Sequence, residues 1–174
     1  MPLTMLLGGA RSGKSAFAAE LAAATGSDVT VIATGEAGDD EMAERIAAHR
    51  AARPPEWTTV EEPYALEAAL ELADPRHTVI VDCLTLWVSN ALGRGDDSGA
   101  VLAAAERAAA SAAARTSRAI VISNEVGLGI VPATPLGRVY RDLLGSVNKT
   151  WVAASAEAAL MVAGRALWLA EPAP

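Results

Sequence analysis

Short apolar runs, several rich in β-branched residues, alternate along the chain with longer stretches whose apolar positions recur every three or four residues. The short runs are Thr4 to Leu7, Val29 to Ala33, Thr78 to Val81, Ala119 to Ser123, Ala159 to Val162 and Ala166 to Leu169. Each predicts a strand, and the stretches between them predict helices over 14–25, 39–52, 63–73, 100–115 and 134–154. Such alternation predicts an α/β fold with a mostly parallel sheet flanked by helices. Only Gly164-Arg165 separates the last two runs, which predicts a C-terminal hairpin at the sheet's edge. Residues 103–114 are rich in alanine, the strongest helix former, and predict a packed helix. Gly93 to Gly99, GRGDDSG, predicts a mobile surface loop. Nothing in the pattern divides residues 1–174 into more than one domain.

The 174 residues are enough to bury a full core, roughly 70% of the surface exposed by the unfolded chain. A formal net charge of −7 argues against wholesale nucleic-acid binding, which calls for a basic face. The arginines cluster at Arg45, Arg50 and Arg53 and again at Arg138 and Arg141. Clusters of that size suit a small anionic ligand. Cys83 is the only cysteine, so no internal disulfide forms and a reducing cytoplasm is the expected location. The opening MPLTMLLGGARSGKS lacks a basic leader, and its apolar run is too short for a signal segment or a membrane span.

That opening also carries the first chemistry. Gly8, Gly9, Ala10, Arg11, Ser12, Gly13, Lys14 and Ser15 match G-x-x-x-x-G-K-[ST] between a predicted strand and a predicted helix. Glycines allow successive backbone N–H groups to turn inward around phosphate oxygens, and the helix adds its positive end. Lys14 is expected to reach the β- and γ-phosphates, and Ser15 to place its hydroxyl on Mg²⁺. A connecting turn gives no reason for Lys-Ser at those positions. Downstream, TVIVD ends a predicted strand in Asp82. Such an aspartate caps a helix or, after a phosphate-binding loop, holds Mg²⁺. The Asn-Lys-x-Asp pattern of guanine-specific GTPases is absent, since Asn148-Lys149 is followed by Thr150-Trp151.

The segment ERIAAHRAARPPEW sets His49 among Arg45, Arg50 and Arg53 before Pro54-Pro55 stops the helix. On an ideal helix His49 shares a side with Met42 and Ile46. One reading makes it part of an amphipathic face, with the arginines paired to Asp39, Asp40, Glu41 and Glu44. The other makes it a nucleophile toward a nucleotide α-phosphate, with the arginines stabilising the developing charge. His77, just before a predicted strand, reads as a surface loop residue at the end of the sheet away from the P-loop.

A third segment, Asn124-Glu125-Val126-Gly127-Leu128-Gly129-Ile130-Val131-Pro132, follows a predicted strand at its C-terminal end, where open α/β sheets bind ligands. Glu125 is either part of a capped turn or takes a metal-water or base role. Taken together, GGARSGKS, DDEMAERIAAHRAARP and NEVGLGIVP followed by GRVYRDLLGSVN resemble the bifunctional adenosylcobinamide kinase and adenosylcobinamide-phosphate guanylyltransferase family of cobalamin biosynthesis. The match runs through nearly the whole chain in order.

The resemblance implies a P-loop NTPase core and a homotrimer. It also implies phosphorylation of adenosylcobinamide by ATP or GTP, then transfer of GMP to adenosylcobinamide phosphate. His49 falls on the guanylylated histidine, and Gly8 to Ser15 on the phosphate-binding residues. Ala33, Thr34, Gly35, Arg50, Ala51, Ala52, Arg53, Glu61 and Asp82 fall where the family contacts GTP, and the histidine helix moves relative to the P-loop. Ala48 stands where some relatives have a second histidine. Two other readings differ in outcome: a plain P-loop kinase forms no covalent nucleotide, and a noncatalytic nucleotide-binding module turns nothing over.

Overall fold

A computed structural model describes residues 3–169 of the chain, apart from the side chain of Arg45. One seven-stranded sheet has the order β3-β2-β4-β5-β1-β6-β7. Its strands are β1 (Leu3–Gly8), β2 (Val29–Ala33), β3 (Thr58–Glu61), β4 (Thr78–Asp82), β5 (Ala119–Ile122), β6 (Glu157–Val162) and β7 (Arg165–Leu169). All neighbours pair in parallel except β6 with β7, the antiparallel hairpin expected at the C-terminal edge. The helices are α1 (Lys14–Ala23), α2 (Asp40–Ala51), α3 (Leu66–Leu72), α4 (Leu84–Arg94), α5 (Ser98–Ala113) and α6 (Pro135–Ala154).

The central strands are mostly apolar, with Thr4, Thr30 and Thr78 buried among them, because both sheet faces are covered. Met5, Leu7, Val79, Val81 and Val121 face the layer built from α3, α4, α5 and α6, whereas Leu6, Val31, Ile80 and Ile120 face α1. On α5 the buried positions Ala105, Ala108, Ala109 and Ala112 carry no side chain beyond Cβ, which lets α6 and α3 approach closely. Among the described residues, no helix is long and apolar enough to cross a membrane.

Several expectations need correction. The sequence pattern passed over β3, a short edge strand, and α4, whose apolar residues follow β4 after the single residue Cys83. Residues 93–99 are no mobile loop: Gly93 and Arg94 finish α4, Gly95 closes it at φ 93°, and Asp97 caps α5 by accepting from Gly99 N–H and Ala100 N–H. The helix placed at 100–115 therefore begins at Ser98 and ends at Ala113. His77 is partly buried, with Nδ1 3.0 Å from Thr30 Oγ1 and Nε2 3.7 Å from Asp28 Oδ2, so it anchors the start of β4 instead of lying loose on the surface.

Candidate active site

Parallel pairing brings the C-terminal ends of β2, β4, β5 and β1 to one edge of the sheet, where open α/β sheets bind ligands. The P-loop leaves β1 there. Gly8 has φ 151°, and a Cβ on it would lie 2.6 Å from Met161 O, so no other residue fits against β6. Gly13 has φ 98°, and its absent side chain faces Gly164 Cα at 3.1 Å. Arg11 supplies a further left-handed residue at φ 57°. The turn of the C-terminal hairpin backs this loop directly, because Gly164 N–H donates to Ser12 O at 2.9 Å.

Lys14 opens α1 and lies across the loop, its ammonium donating to Gly8 O at 2.9 Å, Gly9 O at 2.6 Å and Ser12 Oγ at 3.3 Å. Burial pushes its pKa below the ordinary lysine value, while Cys83 and Asp82 pull it back up. Ser15 is exposed in the first turn of α1, beside Lys14.

Asp82 ends β4 in register with Ala33 of β2. Its carboxylate is partly buried and faces two basic side chains from the α2 segment: Arg53 Nη2 at 3.4 Å and His49 Nδ1 at 3.9 Å from the same oxygen. Asp39 caps α2 by accepting from Met42 N–H at 2.7 Å, and its last turn carries His49 and Arg50. Arg50 pairs with Glu61 at the end of β3 at 3.0 Å, and Arg53 also donates to Thr59 Oγ1 at 3.4 Å. Among the described residues of α2 none is fully buried, so polar contacts at its C-terminal end dock it to the sheet. Ala51 and Ala52 are exposed there.

The second strand's exit has a different role. Thr34 is 0% exposed, and its hydroxyl donates to Cys83 O at 2.6 Å while accepting from Cys83 N–H at 2.8 Å. Ala33 is buried beside it, and Gly35 lies against Ile46. Of the nucleotide-contacting positions named from the sequence, Thr34 therefore turns inward.

The family model for cobinamide kinase / cobinamide phosphate guanyltransferase matches residues 4–169. The chain belongs to this family. It is 47% identical over 146 residues to the bifunctional adenosylcobalamin biosynthesis protein CobP of Pseudomonas aeruginosa, covering 83% of this chain and 84% of that protein. It is 37% identical over 175 residues to the bifunctional adenosylcobalamin biosynthesis protein CobU of Escherichia coli, covering 93% of this chain and 96% of that one. The crystal structure of the RadB recombinase aligns with a TM-score of 0.51 at 18% identity over 91% of this chain and 73% of that chain, a likeness of P-loop fold alone.

In this cobinamide kinase and guanyltransferase family member, the segment after β5 is fixed from beneath. Glu125 N–H donates to Gly8 O at 3.1 Å, tying the segment to the P-loop. Asn124 is held on both sides, its N–H donating to Thr85 Oγ1 at 2.8 Å and its carbonyl accepting from Asn148 Nδ2 at 3.0 Å. Tyr140 joins this set by donating to Thr85 O at 3.2 Å. Glu125 Oε1 accepts from Gly127 N–H at 2.8 Å, the capped-turn geometry. Arg138 donates to Pro132 O and Ala133 O, and Arg141 pairs with Asp142, so these arginines brace their own loop and helix instead of forming a second anion cluster. Thr85 went unmarked in the sequence, and Tyr140 and Asn148 stood inside the GRVYRDLLGSVN stretch with no role assigned. Their contacts join residues far apart in the chain, and no local motif records them.

Proposed function

We propose that the chain phosphorylates the aminopropanol hydroxyl of adenosylcobinamide with ATP or GTP and then transfers GMP from GTP to the product through a guanylyl-His49 intermediate. The single observation that carries this reading is the meeting of two sets of groups at one sheet edge. The P-loop with Lys14 stands at the end of β1, and His49 stands 3.9 Å from Asp82 at the end of β4.

In the first reaction the substrate hydroxyl attacks the γ-phosphorus, its proton leaves, and the bond to the β-phosphate oxygen breaks. Lys14 and the P-loop N–H groups, from Gly8 to Ser15, hold the phosphates against that displacement. In the second, His49 forms a P–N bond at the α-phosphorus of GTP and pyrophosphate leaves. The phosphate oxygen of adenosylcobinamide phosphate then displaces the imidazole, giving adenosylcobinamide-GDP and regenerating neutral His49. Nδ1 is the ring nitrogen facing Asp82, which leaves Nε2 as the attacking atom. Arg50 and Arg53 supply positive charge beside it.

Mg²⁺ fits the residues present, because a hydroxyl at Ser15 and a carboxylate at Asp82 are hard oxygen donors. Two protein oxygens would leave the ion's other positions to phosphate and water. When bound it would neutralise charge on the phosphate oxygens. Ala33, Gly35, Ala51, Ala52 and Glu61 are proposed to shape the GTP site around these groups. Residues 1–174 are proposed to act as one domain, in the cytoplasm and as a homotrimer. Exposed Leu128, Ile130, Val131 and Leu136 offer apolar surface for that assembly.

Intact-protein mass after incubation with GTP and Mg²⁺ tests the second reaction. An acid-labile GMP-sized adduct is expected on the wild type and not on His49→Ala. An unmodified wild type that still turns over adenosylcobinamide would leave a simple kinase.

A further inference from the structure

We infer that Thr34 is a positioning residue for the Asp82 carboxylate, not a contact of the nucleotide. The inference rests on the reading of Asp82 as a magnesium ligand. All the polar groups of Thr34 are engaged within the protein. Its N–H donates to Asp82 O at 3.1 Å, its carbonyl accepts from Asn90 Nδ2 at 2.7 Å, and its hydroxyl both donates to and accepts from the Cys83 backbone. With 0% exposure it offers a ligand no surface.

The geometry explains why a hydroxyl is needed at that point. The β2–β4 ladder has its last register pair at Ala33 and Asp82; beyond it Thr34 N–H still reaches Asp82 O, but Cys83, one residue on, has no strand partner for its N–H and carbonyl. Thr34 Oγ1 supplies both a donor and an acceptor to it, doing with one side chain what two backbone groups do along the ladder. An aspartate carboxylate is only two bonds from the backbone, so its place follows that of residues 82 and 83. Asn90 of α4 bonds Thr34 O and also Pro63 O at 3.2 Å. The end of β2, the end of β4 and α4 are thereby locked as one unit beneath the carboxylate. Groups that orient metal ligands in this way typically change metal affinity when removed.

The test is a Mg²⁺ titration of the binding of a fluorescent GTP analogue to full-length protein, repeated in EDTA, for Thr34→Val, Thr34→Ala, Thr34→Ser and Asp82→Asn. Thermal melting identifies the folded variants. For Thr34→Val and Thr34→Ala the Mg²⁺ concentration for half-maximal enhancement rises about tenfold, at the lower end of the range for outer-shell partners. Affinity in EDTA stays at the wild-type value, and Thr34→Ser keeps most of the Mg²⁺ response. A loss of affinity as large in EDTA as in Mg²⁺ would overturn the inference, since it marks a direct nucleotide contact. A lowered melting temperature with an unmoved Mg²⁺ midpoint would overturn it as well, since that marks a structural threonine only. If Thr34→Val does not fold, Thr34→Ala, which needs no added methyl to be accommodated, carries the same comparison. A shifted midpoint for Asp82→Asn beside unshifted Thr34 variants sinks the positioning role alone. An unshifted Asp82→Asn sinks the magnesium-ligand reading together with it.

Discussion

Tyr140 shows how a single side chain links stability to the segment after β5 that is tied to the P-loop. Burial pushes its phenol up to about 12, with Cys83 adding to the shift, and its hydroxyl donates to Thr85 O, the residue whose side chain holds Asn124 N–H. In the unfolded chain the phenol ionises near pH 10. Its folded pKa is raised, so its contribution is complete below pH 10 and is lost as pH climbs from there toward 12. Tyr140→Phe is therefore expected to cost about 1 kcal/mol at neutral pH through the lost hydrogen bond, yet to flatten the alkaline decline. Urea unfolding at pH 7, 10 and 11 checks both halves. A second residue-scale expectation separates the two reactions. His49→Ala abolishes GMP transfer and leaves adenosylcobinamide phosphorylation, whereas Lys14→Ala lowers phosphorylation by about 10²–10³-fold, the scale of losing one preorganised charge contact. Product analysis with each substrate distinguishes them.

Among the elements, α2 is the least attached to the body. Its Asp39 cap and the Arg50–Glu61 and Arg53–Asp82 pairs hold it, while Met42 and Ile46 are only half-buried. Asp39→Ala should lower the helix's local stability by about 1 kcal/mol and increase hydrogen exchange across 40–51 without altering exchange in β1 or β4. A uniform change through the whole chain would contradict that independence. Elements differ in how legible they are in the sequence, for physical reasons. β1, the P-loop and α1 were legible because phosphate binding demands glycine and Lys-Ser at fixed spacing, and α6 because a Thr134 cap and Pro135 mark its start. The strand β3 was missed since Val60 is exposed on an edge, so TTVE lacks an apolar signature. Helix α4 was missed although Leu84, Trp87, Val88 and Ala91 fall at helical spacing, because Cys83 gives no side-chain cap to mark the boundary. At the site, His49 and Asp82 were each marked by residue type and context. Their closeness, and the inward turn of Thr34, depend on strand order, which no local pattern contains.

At the scale of the whole molecule, the order β4-β5-β1-β6 is what makes the site. It sets the Asp82 strand one strand away from the P-loop strand, with the Asn124-Glu125 segment between them. The same order encloses β1 between β5 and β6, so the strand that feeds the P-loop has no free edge. Gly13→Val should weaken nucleotide binding, since added carbon must push against Gly164 and the positive φ is strained in any residue but glycine. Equilibrium binding of the fluorescent GTP analogue to the folded variant measures this, and unchanged affinity would show that the hairpin turn does not shape the loop.

The backing of the P-loop by β6 and the 163–164 turn also has a temporal side. Of the described elements a ribosome makes β1 and the phosphate loop before the others, yet Met161 and Gly164, which wall that loop, are among the last to emerge. A growing chain thus carries a complete nucleotide-binding motif long before it has a nucleotide-binding site, and stalled or nicked products that end before β6 should pass through an immobilised-GTP column unretained. Capture on GTP would then report that synthesis has passed β6 and its turn, as well as correct folding.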